Sequence, residues 1–433
     1  MSPRPVQVSI RTYQVGFGDC FLFSIAYDDH TERHLLFDFG SMFLPPGAPR
    51  RMTEVAKDIA SRSGGKLTAV IATHRHRDHI SGFNPGTNGR GTGAIIAGLK
   101  PDLVVQPWTE DPTLPIDATG PTLAAMASGL RGAAAQTTAL HAMQAVAGGV
   151  VAESKRSRHF SPELKRQLRF VGEDNLKNPE AVRNLMDMAP NEYLHFGVDS
   201  GLEALLAGVK VHVLGPPTVD QSAAVAKQAA RNPAEYWNLQ ASALSAATAA
   251  ADVGGVLFPD YVAARPPNIP IAARWLIKQA RKVRGDQLLQ LVRKLDDAMN
   301  NTSVILLLEI GDKAFLFPGD AQWENWAYAL SKPDICALLA RVNVYKVGHH
   351  GSLNATPRTL WGMFENRSED EHGARLISLM STLGGHHGHA KADGHGTEVP
   401  RQTLRTELQR DTDLVDTEAF AANQWFEDTV VQV

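Results

Sequence analysis

Cysteine is nearly missing from this chain: Cys20 and Cys336 are the only two thiols in 433 residues. They are far apart, and Cys20 lies in apolar, strand-like sequence. The expectation is two buried, reduced thiols in a cytoplasmic setting, which excludes a disulfide-stapled scaffold. Long hydrophobic runs are also missing. The stretch 304–308 is typical, and it falls far short of the ~20 apolar residues that span a bilayer. The opening Met1-Ser2-Pro3-Arg4-Pro5 runs into alternating residues instead of an apolar leader, so no secretory signal is expected. No charge excess stands out either. Lysine and arginine number 43 against 46 acidic residues, a net charge of −3. No global field therefore draws the whole chain to nucleic acid or to a membrane. With 43% apolar residues, the chain can bury a large core. It is long for one domain, within range for a single sandwich that carries insertions.

What the chain does have is histidine in one place. Thr73-His74-Arg75-His76-Arg77-Asp78-His79 follows the apolar stretch 67–73 directly. In an extended segment, residues two apart point the same way. His74 and His76 therefore aim at one point as the strand ends, while Asp78 and His79, after a turn, reach a second point close by. Imidazole and carboxylate are the ligands that a borderline divalent ion accepts.

Alternating or apolar runs predict strands at 6–10, 20–27, 35–39, 67–73 and 103–108. A second block is predicted at 209–214, 303–308, 314–317, 342–347 and 375–380. A helix is predicted at 52–61. Between the blocks, 121–150 and 221–252 are rich in alanine, and 161–190 and 270–299 also read as helical. The reading is one α/β domain over 1–433, with mostly helical insertions at about 118–205 and 218–300. Four groups fall at or just past strand ends: Asp38, the histidine run, Asp320, and the pair His349-His350. Loops at sheet ends are where binding groups converge.

These motifs together resemble the metallo-β-lactamase-fold hydrolases. The likeness is carried by His74-x-His76-x-Asp78-His79, Asp38 in Phe37-Asp38-Phe39-Gly40, and Asp320 in Pro318-Gly319-Asp320. Val15-Gly16-Phe17-Gly18-Asp19-Cys20, Asn301-Thr302-Ser303 and Lys346-Val347-Gly348-His349-His350-Gly351-Ser352 narrow it to the hydrolase domain of ComEC-type competence proteins. The match covers roughly 6–110 and 208–385. It implies a four-layer αββα sandwich. It also implies one or two divalent metal ions, Zn²⁺ or Mn²⁺. His74 and His76 would hold the first, and Asp78, His79 and His350 the second, with Asp320 bridging. Asp38 would steer a ligand histidine, and His349 would contact the substrate phosphate. One departure stands out: the turn Gly215-Pro216-Pro217 lacks the third histidine that completes the first site in two-metal members.

The implied activity is a metal-dependent hydrolase that cleaves DNA, a phosphodiesterase or nuclease acting through a metal-activated hydroxide with Asp78, His349 and Asp38 at the chemistry. The alternative is a hydrolase of a small phosphoester, nucleotide, lactone or other ester, with the helical insertion as a lid. A non-catalytic module keeping a relic site is a third reading, disfavoured by the intact ligand set. Two basic stretches, 155–169 and 274–294, read either as solvated helix faces or as a groove for a polyanion, with Lys278, Arg281 and Lys282 as substrate contacts. The tail group His386, His387, His389 and His395 reads as a loop that binds metal adventitiously or closes over the site. Nothing in the pattern indicates a membrane partner or fixes an oligomeric state.

Overall fold

In the computed structural model, the described residues are 2–112, 120, 160–162, 164, 165, 168, 178–218, 220–222, 299–352, 356–386, 398–421 and 423–433. Alternation starts the first sheet. In β1 (Pro5–Tyr13), Val8 and Ile10 are fully buried while Gln7, Ser9 and Arg11 face outward. β2 (Cys20–Tyr27) and β3 (Glu32–Phe39) form a hairpin. In its turn, His30 takes a left-handed φ of 66° and the Asp29 carboxylate accepts from the Thr31 amide. β4 (Ala69–Ile71), β5 (Leu103–Pro107) and β6 (Asn191–Leu194) add in parallel. β13 (Phe426–Gln432) closes the other edge, giving the mixed order β13-β1-β2-β3-β4-β5-β6.

The second sheet is also mixed, in the order β12-β11-β10-β9-β8-β7. Its strands are β7 (Val209–Gly215), β8 (Ile305–Ile310), β9 (Lys313–Phe317), β10 (Val344–Lys346), β11 (Ile377–Met380) and β12 (Asp413–Asp416). β9 to β12 run parallel. The central strands of both sheets are buried on both faces, which explains their continuous apolar runs.

The two sheets share one core. Phe37 stacks on Phe317 with centroids 4.2 Å apart, and Phe23 meets Phe315 edge-on at 5.3 Å. Removing such a ring from water contributes about 1.5–3 kcal/mol. The outer face of the first sheet (Leu22, Leu36, Val70, Val104) packs on α1 (Arg51–Arg62), α3 (Thr92–Gly98) and α4 (Pro179–Asp187). α2 (Arg77–Ile80) is a single turn at the strand ends. The outer face of the second sheet packs on α5 (Trp323–Ala329), α6 (Pro333–Ala340), α7 (Arg358–Met363) and α8 (Gln402–Asp411), with Trp326 fully buried. Helices thus cover both outer faces of a sheet pair. Among the described residues, no helix is long and apolar enough to cross a membrane.

One expected boundary moves. Of the stretch 118–205 read as an insertion, residues 178–205 belong to the body: α4 packs on the first sheet and β6 extends it. β6 is short and polar, so its sequence carries no period-two signal. Nearly all of 218–300 lies outside the described residues. Cys20 and Cys336 are both free; Cys20 is buried and Cys336 half-buried.

Candidate metal centre

Parallel strands deliver the site. β3 ends on Asp38 and Phe39, β4 runs into the histidine motif, β9 into Gly319-Asp320, β10 into His349-His350, and β11 into Ser381. All five meet on one rim of the paired sheets. Glycines let the turns stack backbone on backbone. The Asp19 amide donates to the Asp78 carbonyl at 3.0 Å, and the Gly40 amide donates to the Asp19 carbonyl at 3.0 Å. A Cβ on Gly40 would lie 2.4 Å from both the Asp78 carbonyl carbon and the His79 nitrogen.

Ligand atoms of Asp78, His79, Asp320 and His350 all lie within 4.8 Å of one another, and all four residues are buried. His79 Nε2 sits 3.0 Å from Asp320 Oδ2, and His350 Nε2 sits 2.8 Å from Asp78 Oδ2. The opposite ring nitrogens are tied down. His79 Nδ1–H donates to Asp38 Oδ2 at 2.8 Å, and His350 Nδ1–H donates to the Ser381 carbonyl at 3.0 Å. Imidazoles held this way present Nε2 to a metal with tautomer and orientation fixed. Asp78 Oδ1 is buried without a hydrogen-bond partner. Two imidazole nitrogens and two carboxylates, one with an orphaned oxygen, could hold a metal ion at this point.

The electrostatics agree. Burial opposes protonation of His79, yet Asp320, Asp78 and Asp38 raise its pKa well above the ordinary histidine value. Burial likewise opposes protonation of His350, and Asp320 and Asp19 raise it. Burial pushes the Asp78 carboxyl up, but His79 and His350 bring it below the usual carboxylate range. Asp320 is lowered in the same way by His79, Lys346 and His350 against its burial. At all four groups the neighbouring opposite charge outweighs burial.

His74 and His76 stand beside this group and do not join it. Thr73 Oγ1–H donates to Asp38 Oδ2 at 2.8 Å, so the same hydroxyl oxygen accepts from His74 Nδ1–H at 3.2 Å. His74 Nε2 then accepts from His76 Nδ1–H at 3.0 Å. Burial and the neighbouring His79 and His76 hold the His74 pKa well below its ordinary value, which keeps the ring neutral. Among the described residues, no third ligand forms a group with the two.

His349 and His350 both adopt left-handed backbone, with φ of 43° and 51°. Such strain costs of order 1–3 kcal/mol per residue and concentrates at functional sites. The His349 ring is braced by Ser352 Oγ at 2.8 Å from Nδ1, with the Asn300 amide nitrogen 3.5 Å from Nε2. Arg75, between the first two histidines, pairs with the buried Glu110 after β5, which anchors the motif from behind. His386 stacks on Phe43 of the rim loop, centroids 4.7 Å apart. Lys278, Arg281 and Lys282 lie outside the described residues, as do His387, His389 and His395.

Four side chains and one backbone carbonyl enter the site that the motif reading left without a role: Asp19, Thr73, Asn300 and Lys346, and the carbonyl of Ser381. Lys346 had a signal, since a lysine in the apolar strand Val344–Lys346 needs a buried partner. The partners themselves are distant in sequence, and nothing local points to them.

No protein-family model matches the chain, and no curated protein matches it.

Proposed function

We propose that the chain is a metal-dependent hydrolase of the metallo-β-lactamase type, and that it cleaves phosphodiester bonds in nucleic acid, with DNA as the first candidate. The observation that carries the reaction class is the convergence of two imidazole nitrogens and two carboxylates on one buried point, each imidazole pinned from behind. Two face-to-face mixed sheets between helix layers support the four-layer αββα reading. The polymer rests on the ComEC-like motifs and on the charge of 155–169 and 274–294. Two unpaired cysteines fit a reducing, cytoplasmic compartment.

Asp78, His79, Asp320 and His350 would hold a divalent ion, which would supply Lewis acidity toward a phosphoryl oxygen and lower the pKa of water toward neutrality. Asp38 accepts from His79 Nδ1–H, which would leave Nε2 to bind an ion. Asp78 offers its unpartnered Oδ1 as a further acceptor. His349, braced by Ser352, lies beside the ligand His350 and is the residue we place at the substrate phosphate. The missing third histidine and the His74–His76 pairing favour one ion over two.

The test is digestion of plasmid, single-stranded DNA, RNA and a small chromogenic phosphodiester by protein loaded with Mn²⁺ or Zn²⁺, at several salt concentrations. Polymer cleavage should fall steeply with ionic strength, because phosphate contacts release counterions. Charge reversal at Lys278, Arg281 and Lys282 should slow plasmid cleavage and spare the small diester. Salt-indifferent hydrolysis of the small diester alone would move the substrate to a small phosphoester. If His350→Ala matched wild type on every substrate, the hydrolase reading would be lost.

A further inference from the structure

A second group with metal-ligand spacing lies behind the first. Asp19, Asp38 and His79 place ligand atoms within 4.8 Å of one another, all buried. Asp19 is fully buried. Its Oδ1 is 3.4 Å from His350 Nδ1 and its Oδ2 is 3.8 Å from His79 Nδ1. One carboxylate thus faces the outer nitrogens of both metal-facing imidazoles.

This second group already has a cation against it. Lys346 Nζ forms an ion pair with Asp19 Oδ2 and lies 3.1 Å from Asp320 Oδ1. It also donates to the Gly319 carbonyl at 3.0 Å. Asp320 Oδ1 accepts in addition from the His349 amide at 2.9 Å. One oxygen of Asp320 is therefore held by an ammonium and a backbone N–H, and Oδ2 is the oxygen turned to the ligand group. Among the described residues, Lys346 is the one lysine or arginine in contact with Asp19, Asp38, Asp78 or Asp320.

We propose that Asp19 and Lys346 form the internal brace of the metal centre, with the lysine ammonium as its permanent second cation. The inference rests on the metal-centre reading above. The pair acts through the ligands and touches no substrate: Lys346 fixes which oxygen Asp320 presents, and Asp19 backs His79 and His350. The ion pair thus holds Asp320 directly and borders His79 and His350, whose own hydrogen bonds go to Asp38 and to the Ser381 carbonyl. The ammonium also offsets charge where four buried carboxylates meet a single divalent ion, and it denies the Asp19–Asp38–His79 group to an ion from solution. Both residues are positioning residues.

Residues behind metal ligands typically change metal affinity by about 10–100-fold when removed. The variants are Lys346→Met, which keeps length and loses charge, and Asp19→Asn, which is nearly isosteric and serves as the probe should the first not fold. The probes are the Co²⁺ visible spectrum and chelator competition for Zn²⁺. Thermal unfolding with and without metal reports the fold separately. Wild type should bind one Co²⁺ with a defined ligand-field spectrum. Each variant should bind about 10–100-fold more weakly with a shifted spectrum. The Asp19→Asn/Lys346→Met double variant should lose little more than the worse single one, because both act on the same ligands. Variants that melt earlier yet keep the wild-type affinity and Co²⁺ spectrum would make the pair a packing element only and overturn the brace. Two tight equivalents of Co²⁺ on wild type would overturn the role of the ammonium as second cation. No Co²⁺ uptake by wild type would remove the metal reading and the brace together.

Discussion

Metal uptake by this centre should be steeply dependent on pH, with a slope set by two histidines. In the metal-free protein both nitrogens of His79 face carboxylates: Nδ1 is 2.8 Å from Asp38 and Nε2 is 3.0 Å from Asp320. His350 faces the Ser381 carbonyl with Nδ1 and Asp78 with Nε2. A neutral imidazole has a single N–H to donate. Rings that face acceptors on both sides are therefore imidazolium, which agrees with their raised pKa values. An ion at the four-ligand point takes both Nε2 lone pairs, so about two protons must leave per ion bound. Asp78 and Asp320 are held below the usual carboxylate range and carry no proton near neutrality. They add nothing to the slope.

Each displaced proton makes apparent affinity change about tenfold per pH unit, so two give up to about 100-fold. Chelator competition at pH 6, 7 and 8 should show Kd falling by about that factor per unit, flattening once the raised histidine pKa values are passed. Adding metal to weakly buffered protein should release about two protons per ion. The stability of the metal-free protein runs the other way. A histidine pKa raised by folding stabilises the fold below the unfolded value near 6.5, and that contribution is lost as pH rises through the folded value. Metal-free protein should thus melt earlier at alkaline pH, while metal-loaded protein gains stability there. A Kd that is flat between pH 6 and 8, with no proton release, would refute the imidazolium assignment.

Two more outcomes follow from the same geometry. His74→Ala should leave one tightly bound ion, whereas His350→Ala should lose it, as read by elemental analysis after desalting; equal loss in both would put His74 among the ligands. Gly40→Ala forces a Cβ to within 2.4 Å of the Asp78–His79 peptide, where only backbone can yield. It should destabilise by at least the about 1–3 kcal/mol typical of overpacking and weaken metal binding, seen in denaturant titration and chelator competition.

The fold was legible where burial is strong. β2, β3, β7 and β9 announce themselves by apolar runs or alternation, and their observed limits fall within a few residues of those runs. β6 and β12 do not, because Asn191–Leu194 and Asp413–Asp416 are short and polar and are placed by pairing with β5 and β11. At the site, the spacing of His74, His76, Asp78 and His79 was visible at once, since adjacent residues at a strand end are bound to be close. Their division into Asp78 and His79, which join Asp320 and His350, and His74 and His76, which lie beside that group, was not. It depends on Thr73, Asp38 and Asp320, which reach the rim from other strands. Asp19 and Lys346 show the limit most clearly. Each is a charged residue in apolar sequence, and only the folded chain brings the two together.

The same logic explains the order of residues in His349-His350-Gly351-Ser352. β10 ends at Lys346, whose ammonium must stay beneath Asp320. Three residues later the chain has to place a backbone N–H on the same Asp320 oxygen, and His349 does so. The next side chain must then turn toward Asp78, which His350 achieves by taking left-handed backbone. Gly351 continues at φ 78°, where a Cβ would press to 2.9 Å from Met380 Sδ. Ser352 returns a hydroxyl to the His349 ring. The strain of two left-handed histidines is held by what surrounds them: Phe17 packs on His350 with ring centroids 4.5 Å apart, and the Arg401 amide grips the Gly351 carbonyl at 2.8 Å. A motif that looks like a string of polar residues is therefore a set of geometric requirements met one after another along the chain.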